Sequence, residues 1–373
     1  MPLIAVAANN AWNIVNYRSG LIQALKGAGC DVAVIAPDGP YAQAVRSLGA
    51  SFHSLPMQPR GRSPVADLVL LVRYRRLLRH LRPDAFLGFT AKPNIWGSLA
   101  ARSLGIRVFA NISGLGAGFA RRGPLMRLVA ALYRRALKAP AIVLFQNPDD
   151  RALFIDRKIV AAAQSRLLPG SGVDLAHFAP RTAKNPRSKR FTFLSAGRLL
   201  WAKGVAEFVE AGQVLKAQGL DVSLQILGLV EPHGPSAVPR SALDQWQDDG
   251  LATFLGSTDD VRPAVAQSDC VVLPSYYGEG VPHILLEAAA MARPLITTDT
   301  AGCRLAVDDG TTGFLCQAGS IESLAGAMTR MVLLAPAERQ AMGRLGRAKM
   351  EREFDQELVH ASYLAALGLS GIL

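Results

Sequence analysis

This sequence predicts an α/β protein of two doubly wound domains, on three observations: its length, an alternation of apolar runs with helix-length segments, and one interruption of that rhythm near the middle. At 373 residues the chain exceeds one ordinary domain and suits two, each large enough for its own core. In the first half, LIAVAA, DVAVIAP, AFLGFT, RVFANIS and AIVLFQN are short runs rich in Val, Ile, Leu and Phe. Their spacing is that of βαβ units, so the sheet is expected to be mostly parallel. The stretch RTAKNPRSKR has five basic residues and no apolar periodicity, which marks a domain boundary. The rhythm restarts with FTFLSAG, VSLQILG, ATFLGS, CVVLPS and PLITTD. The expected organisation is a first domain over 1–178, a linker over 179–190, a second domain over 191–354 and a final helix over 355–373 that packs back on the first domain.

Half the residues are apolar and no segment is of low complexity, so disorder is excluded. Lys or Arg interrupts every apolar run before the roughly 18 residues a spanning helix needs. The N-terminus MPLIAVAANN carries no positive side chain before Arg18 and reads as a buried strand rather than a signal peptide, which places the protein in the cytoplasm. Cys30, Cys270, Cys303 and Cys316 lack C-x-x-C spacing and sit in or beside strand-like sequence, as small core residues do. The net charge of +12 is concentrated: between Arg60 and Lys138 there are sixteen Lys or Arg against two acids, Asp67 and Asp84. A surface of that kind attracts nucleic acid, anionic lipid or phosphorylated substrate, and charge alone does not choose among them.

Ligands of doubly wound sheets lie outside the carboxyl ends of strands, so polar residues directly after the apolar runs are the candidates. After FTFLSAG come Gly197 and Arg198, then Lys203 and Gly204 at a helix start. Arg forks two phosphate oxygens, Lys adds a point charge and Gly admits a close backbone approach; together they suit a diphosphate, although a solvated basic turn would look the same. After CVVLPS comes Y-G-E-G-V-P-H-I-L-L-E, with Glu279 eight residues before Glu287. Pro282 is expected at the first helical position, with Glu279 in the loop and the amides of Gly280, Val281 and His283 free for an anion. Two acids near a helix start also satisfy its dipole. The two motifs in this order favour a ligand site over either ordinary explanation.

With G-R-x-x-x-x-K-G followed by E-G-x-P-x-x-x-x-E, the chain resembles glycosyltransferase family 4. The likeness continues through ILG at Gly228, FLGSTDDV, TTDTAGC and DDGTTGFL; in the first half, TAKPNIWGSLAA, NISGLG, FQNPDD and PGSGVDLAHF resemble the subgroup that extends bacterial polysaccharides and lipid-linked oligosaccharides. The resemblance implies a retaining transferase of GT-B architecture, two Rossmann-like domains facing across a cleft, with a uridine diphosphate sugar as donor and no required cofactor. It further implies that Arg198 and Lys203 bind the donor diphosphate, Glu279 the sugar and Glu287 the ribose, with Gly197, Gly228, Gly280, Val281 and His283 lining the donor. His283 stands where relatives often have Asn or Arg, and Leu305 where they often have an acid.

Family members commonly carry a Gly-rich first loop; here NNAWNIVNYRSG supplies Asn10, Trp12, Asn16 and Arg18 as a bulkier polar lining. With Lys92, Asn94 and Gly114 from the resembling segments, these are the expected acceptor contacts. No Asp-x-Asp stands at a strand end, so a catalytic metal is not required, and the Asp pairs at 149, 259 and 308 read as helix first turns or turns. Two basic amphipathic segments, from Asp67 and from Pro124, are expected to meet an anionic membrane on its inner face, where a lipid diphosphate acceptor would be found. No nucleic-acid motif is visible and no protein partner is deducible. The rivals are a sugar-nucleotide epimerase or hydrolase on the same fold, and a nucleotide-sugar-binding subunit without catalysis.

Overall fold

The structure, a computed structural model, describes residues 1–58, 63–115, 119, 123–139, 141–180, 190–230 and 236–369. It divides into two compact units: Met1–Ser171 with Gln356–Leu373, and Gly172–Asp355. The linker expected over 179–190 lies mostly outside the described residues. Residues 172–178, which the sequence places with the first domain, group with the second. The Val173 amide donates to the Phe354 carbonyl at 2.8 Å, and Arg347 Nη1 reaches the carbonyls of Leu175 and Phe178.

Each unit is built on one all-parallel sheet. In the first, β1 (Leu3–Ala7), β2 (Asp31–Ala36), β3 (Ser51–Ser54), β4 (Ala85–Phe89), β5 (Arg107–Ile112), β6 (Ile142–Phe145) and β7 (Ser165–Leu167) lie in the order β3-β2-β1-β4-β5-β6-β7. In the second, β8 (Phe191–Ala196), β9 (Val222–Leu227), β10 (Thr253–Phe254), β11 (Cys270–Leu273), β12 (Leu295–Thr298) and β13 (Gly313–Cys316) follow the order β10-β9-β8-β11-β12-β13. The central strands are buried on both faces, as the runs LIAVA and FTFLSA require. β3 and β7 escaped the sequence prediction because SFHS and SRL are short edge strands with one apolar residue apiece. All four cysteines are free and buried. Among the described residues no helix is long and apolar enough to cross a membrane.

The C-terminal helix Gln356–Leu367 packs on the first unit, as expected. Val359, Tyr363, Leu364 and Leu367 enter the same core as Ile14, Leu21 and Leu25. Gly20 lies beneath it, where a Cβ would stand 2.6 Å from His360 Cε1. Asn111 Nδ2 at the end of β5 donates to the Tyr363 hydroxyl, and Arg107 Nη1 caps the helix at the Leu367 carbonyl, 3.2 Å away. Tyr363→Ala would empty a fully buried ring and strand the Asn111 amide. It is expected to cost the first unit about 3 to 5 kcal/mol, read as a lowered urea midpoint with the second unit's transition unmoved.

Candidate active site

The sheet of the second unit reverses its strand order between β8 and β11, and the residues that follow these two strands sit where such sheets hold ligands. β8 leads into Gly197, with φ of 147°, and then into the exposed Arg198. Gly228, after β9, packs so closely that a Cβ would lie 1.8 Å from the Gly197 carbonyl oxygen. Its amide donates to the Gly256 carbonyl at 2.8 Å, which ties the ends of β8, β9 and β10 together without a side chain between them.

Beyond Arg198 the chain makes one 3-10 turn, Trp201–Lys203, and passes through Gly204 in the left-handed region (φ 78°) into the helix Val205–Ala217. A Cβ on Gly204 would meet the Pro274 carbonyl oxygen at 2.3 Å, so only glycine fits. That approach seats the turn against the loop after β11, where the Tyr276 amide donates to the Ala202 carbonyl at 3.0 Å. Lys203 Nζ there meets Glu279 Oε2 in an ion pair, with the two side chains only 11% and 15% exposed. The Ser275 hydroxyl donates to the other oxygen, Glu279 Oε1, at 2.7 Å. Lys203 and Glu279, assigned by resemblance to different parts of a donor, thus neutralise each other.

A third loop supports the second. Thr297 Oγ1 donates to the Leu273 carbonyl at 2.7 Å and Thr298 Oγ1 to that of Ser275. Gly302 presses on the Glu279–Gly280 backbone, where a Cβ would stand 1.4 Å from the Gly280 oxygen. Cys303 follows, its thiol pushed up by burial and, in the same direction, by the negative charge of Glu279. Leu305 packs against the apolar cluster that includes Val281, Ile284 and Leu285.

The helix after Glu279 runs His283–Ala290. Pro282 was expected at its first position. It is the N-cap instead, in extended conformation with ψ of 126°, its carbonyl accepting from the Leu285 amide at 3.1 Å. Val281 is buried just before it. Glu287 lies one turn in, with no ion pair or hydrogen bond among the described residues, and burial pushes its carboxyl up to about 7. A carboxylate so placed lacks the partner that would stabilise its charge.

In the first unit the expected acceptor residues separate into distinct roles. Asn10 caps the helix Ala11–Tyr17, its Oδ1 accepting from the Asn13 amide at 2.8 Å. Trp12 packs edge-on against Tyr17, and exposed Asn16 bonds back to the Trp12 carbonyl. Arg18 is buried over the Phe89 ring, 4.5 Å from its centroid, and burial lowers its pKa. Lys92 Nζ is held by Asp67 at 2.6 Å. Asn94 is buried, its Nδ2 on the Asn111 carbonyl at 2.7 Å and its Oδ1 unpartnered. Gly114 (φ 106°) lies in the loop after β5. Residues to which the sequence gave no individual role are Ser275, Thr297, Thr298 and Gly302, and in the first unit Thr90, a β-branched residue at φ 67° with a buried, unpartnered hydroxyl. Each follows or ends a strand, and that position was the available signal.

The Asp pairs are spent on structure. Asp150 sits in the first turn of Pro148–Asp156, Asp260 pairs with Arg262, and Asp308 with Lys349. Among the described residues no three His, Cys, Asp or Glu are grouped to hold a metal ion.

Two family models match the chain: "Glycosyl transferase 4-like domain" over residues 14–170 and "Glycosyl transferases group 1" over 190–333, the span that contains Arg198, Lys203, Glu279 and Glu287. The chain belongs to the family-4 glycosyltransferases. It is 26% identical over 368 residues, 94% of each chain, to the N,N'-diacetylbacillosaminyl-diphospho-undecaprenol alpha-1,3-N-acetylgalactosaminyltransferase of Campylobacter jejuni. It is 25% identical, over 74% of this chain and 73% of the other, to the UDP-Gal:alpha-D-GlcNAc-diphosphoundecaprenol alpha-1,3-galactosyltransferase of Escherichia coli. Among solved structures, Anabaena HepE in complex with UDP-glucose superposes with a TM-score of 0.80 over 99% of this chain and 100% of its own, at 16% identity, which fixes the fold as GT-B.

The carboxyl of Glu287 gives this glycosyltransferase a pH signature. Its folded value of about 7 lies above its ordinary 4.5, so between these values the folded state holds a proton that the unfolded state has lost. This group's contribution to stability therefore falls as pH rises from about 4.5 to about 7, by up to about 3 kcal/mol at about 1.4 kcal/mol per pKa unit. Glu287→Gln is expected to raise the Tm of the unliganded protein at pH 8 and leave it nearly unchanged at pH 4.5. Equal changes at both would remove Glu287 as the source.

Proposed function

We propose that this glycosyltransferase moves a hexose or N-acetylhexosamine from a UDP-sugar to a polyprenyl-diphosphate-linked saccharide in bacterial surface-glycan synthesis, with retention at the anomeric carbon and without a metal or other cofactor, at the inner face of the cell membrane. The observation that carries this reading is the paired Lys203 and Glu279 at the sheet's reversal point, with exposed Arg198 on one side and unpartnered Glu287 on the other. Arg198 and Lys203 bind the two phosphates, aided by the amides of Gly280, Val281 and His283 at the helix start. Glu279 accepts from sugar hydroxyls and Glu287 from the ribose diol, which supplies the partners its buried carboxylate lacks. Gly197 and Gly228 leave room for the nucleoside. The printed names of the Campylobacter jejuni and Escherichia coli relatives support a diphosphoundecaprenol-linked acceptor, and the latter also a UDP-sugar donor.

During transfer the bond from the anomeric carbon to the phosphate oxygen breaks and its electron pair leaves with the diphosphate. The acceptor hydroxyl forms the new bond on the same face, and its proton passes to the departing phosphate oxygen. Arg198, Lys203 and the helix amides meet the charge where it grows, which lowers the barrier without an enzyme nucleophile.

Arg198→Ala is expected to lower turnover roughly a hundredfold or more, about 3 to 4 kcal/mol of barrier, with a Tm close to wild type because the residue is exposed. Lys203→Ala is expected to abolish turnover. The assay is nucleotide release from a panel of UDP- and GDP-sugars with and without a lipid-linked saccharide. Release that requires the acceptor supports the transferase; release without it, with an isomerised or free sugar, favours an epimerase or hydrolase. Near-normal turnover in both variants sinks the site assignment.

A further inference from the structure

We infer that Glu279 sets the preference of this site for a nucleotide that still carries its sugar: its carboxylate opposes a bare nucleoside diphosphate through the ammonium of Lys203, and sugar hydroxyls offset that opposition. The inference rests on the donor reading proposed above and deepens it. Lys203 Nζ pairs with Glu279 Oε2, and both side chains are largely withdrawn from water. One of the ammonium's donors therefore goes to the carboxylate, and a diphosphate has to share the cation with it. With contacts of about 2.8 Å on either side of a tetrahedral nitrogen, the carboxylate and phosphate oxygens stand roughly 4.6 Å apart. At that distance, with little water between them, two like charges repel strongly.

Neither partner has room to withdraw. The Ser275 hydroxyl holds Glu279 Oε1 at 2.7 Å, and its own oxygen accepts from the Tyr277 amide at 3.2 Å. Thr298 Oγ1 donates to the Ser275 carbonyl, and Gly302 lies so close behind that a Cβ would stand 1.4 Å from the Gly280 oxygen. On the side of Lys203, Gly204 presses on the Pro274 carbonyl and the Tyr276 amide donates to the Ala202 carbonyl at 3.0 Å. The segments that carry the cation and the acid are thus joined to each other, and an arriving phosphate meets both. Two properties of the ligand then decide the sign. A sugar ester of the diphosphate brings hydroxyls that donate to Glu279, which restores to the carboxylate what it loses by sharing Lys203. The free diphosphate brings none, and its terminal phosphate, with a second pKa of about 6, carries nearly one further negative charge at pH 8. Both differences disfavour the nucleotide product and spare the donor, so the site gives up the product after transfer. A carboxylate that served only as a sugar contact would be indifferent to the bare nucleotide.

The test is isothermal titration of the full chain at pH 8 with UDP and with UDP-glucose, UDP-galactose and their N-acetylated forms, without acceptor. Glu279→Gln keeps the side chain's shape and removes its charge. It is expected to bind UDP about tenfold more tightly than wild type, and to bind the best of the UDP-sugars no more tightly than wild type. Ser275→Ala keeps the ion pair and lets the carboxylate turn from the phosphate; it is expected to move the ratio of the two affinities toward UDP by roughly threefold. UDP bound no more tightly by Glu279→Gln, or by Ser275→Ala where the first variant does not fold, overturns the inference. Equal tightening for UDP and the UDP-sugars also overturns it. In either case UDP-sugar binding by wild type leaves the donor reading standing, whereas a wild type that binds neither UDP nor any of the UDP-sugars removes both.

Discussion

The geometry at the reversal point of the second sheet depends on one backbone contact, the approach of Gly204 to the carbonyl of Pro274. With a Cβ excluded and φ positive, the turn after β8 lies directly on the loop after β11, and the two strands that flank the reversal point deliver their polar residues to one place. Lys203 reaches Glu279 only because that contact is made. Ser275 then fixes the other carboxylate oxygen, and the Thr298 and Gly302 contacts hold the loop from behind. A long cation and a short acid, both largely withdrawn from water, are a costly pair to leave half-made, so the seam and the ion pair sustain each other.

The electrostatic consequence is a division of labour. Lys203 is committed to Glu279, while Arg198 stands exposed to solvent. Glu287 is different in kind, a carboxyl without a partner and near its midpoint of ionisation at neutral pH. One acid is paired with a cation beside it, and the other has its carboxyl pushed up by burial.

Much of the fold was legible because the central strands carry long apolar runs and end in conspicuous glycines and charges. The edge strands were not, since Phe52 and Leu167 are the lone apolar residues of β3 and β7. The motifs located Arg198, Lys203, Glu279 and Glu287, but a pairing across 76 residues of sequence, as between Lys203 and Glu279, has no local signature. Ser275 and Thr298 are ordinary residues until the β11 and β12 ends are seen side by side. In the first unit, polarity in the sequence did not reveal which partners its residues have. Lys92 answers to Asp67 and Arg18 lies under cover against Phe89, two contacts made by packing between elements that sequence spacing does not relate.

The return of the last helix to the first unit makes that unit discontinuous in the gene. On a ribosome its sheet is made before the second unit, yet the ring of Tyr363 and the neighbouring leucines that complete its interior are made only after it. The second unit, continuous from Gly172 to Asp355, has all its parts beforehand. The order of maturation thus runs against the order of synthesis, and a chain broken off between Asp355 and Tyr363 would lack part of the first unit's core while keeping the whole unit that carries Arg198, Lys203, Glu279 and Glu287.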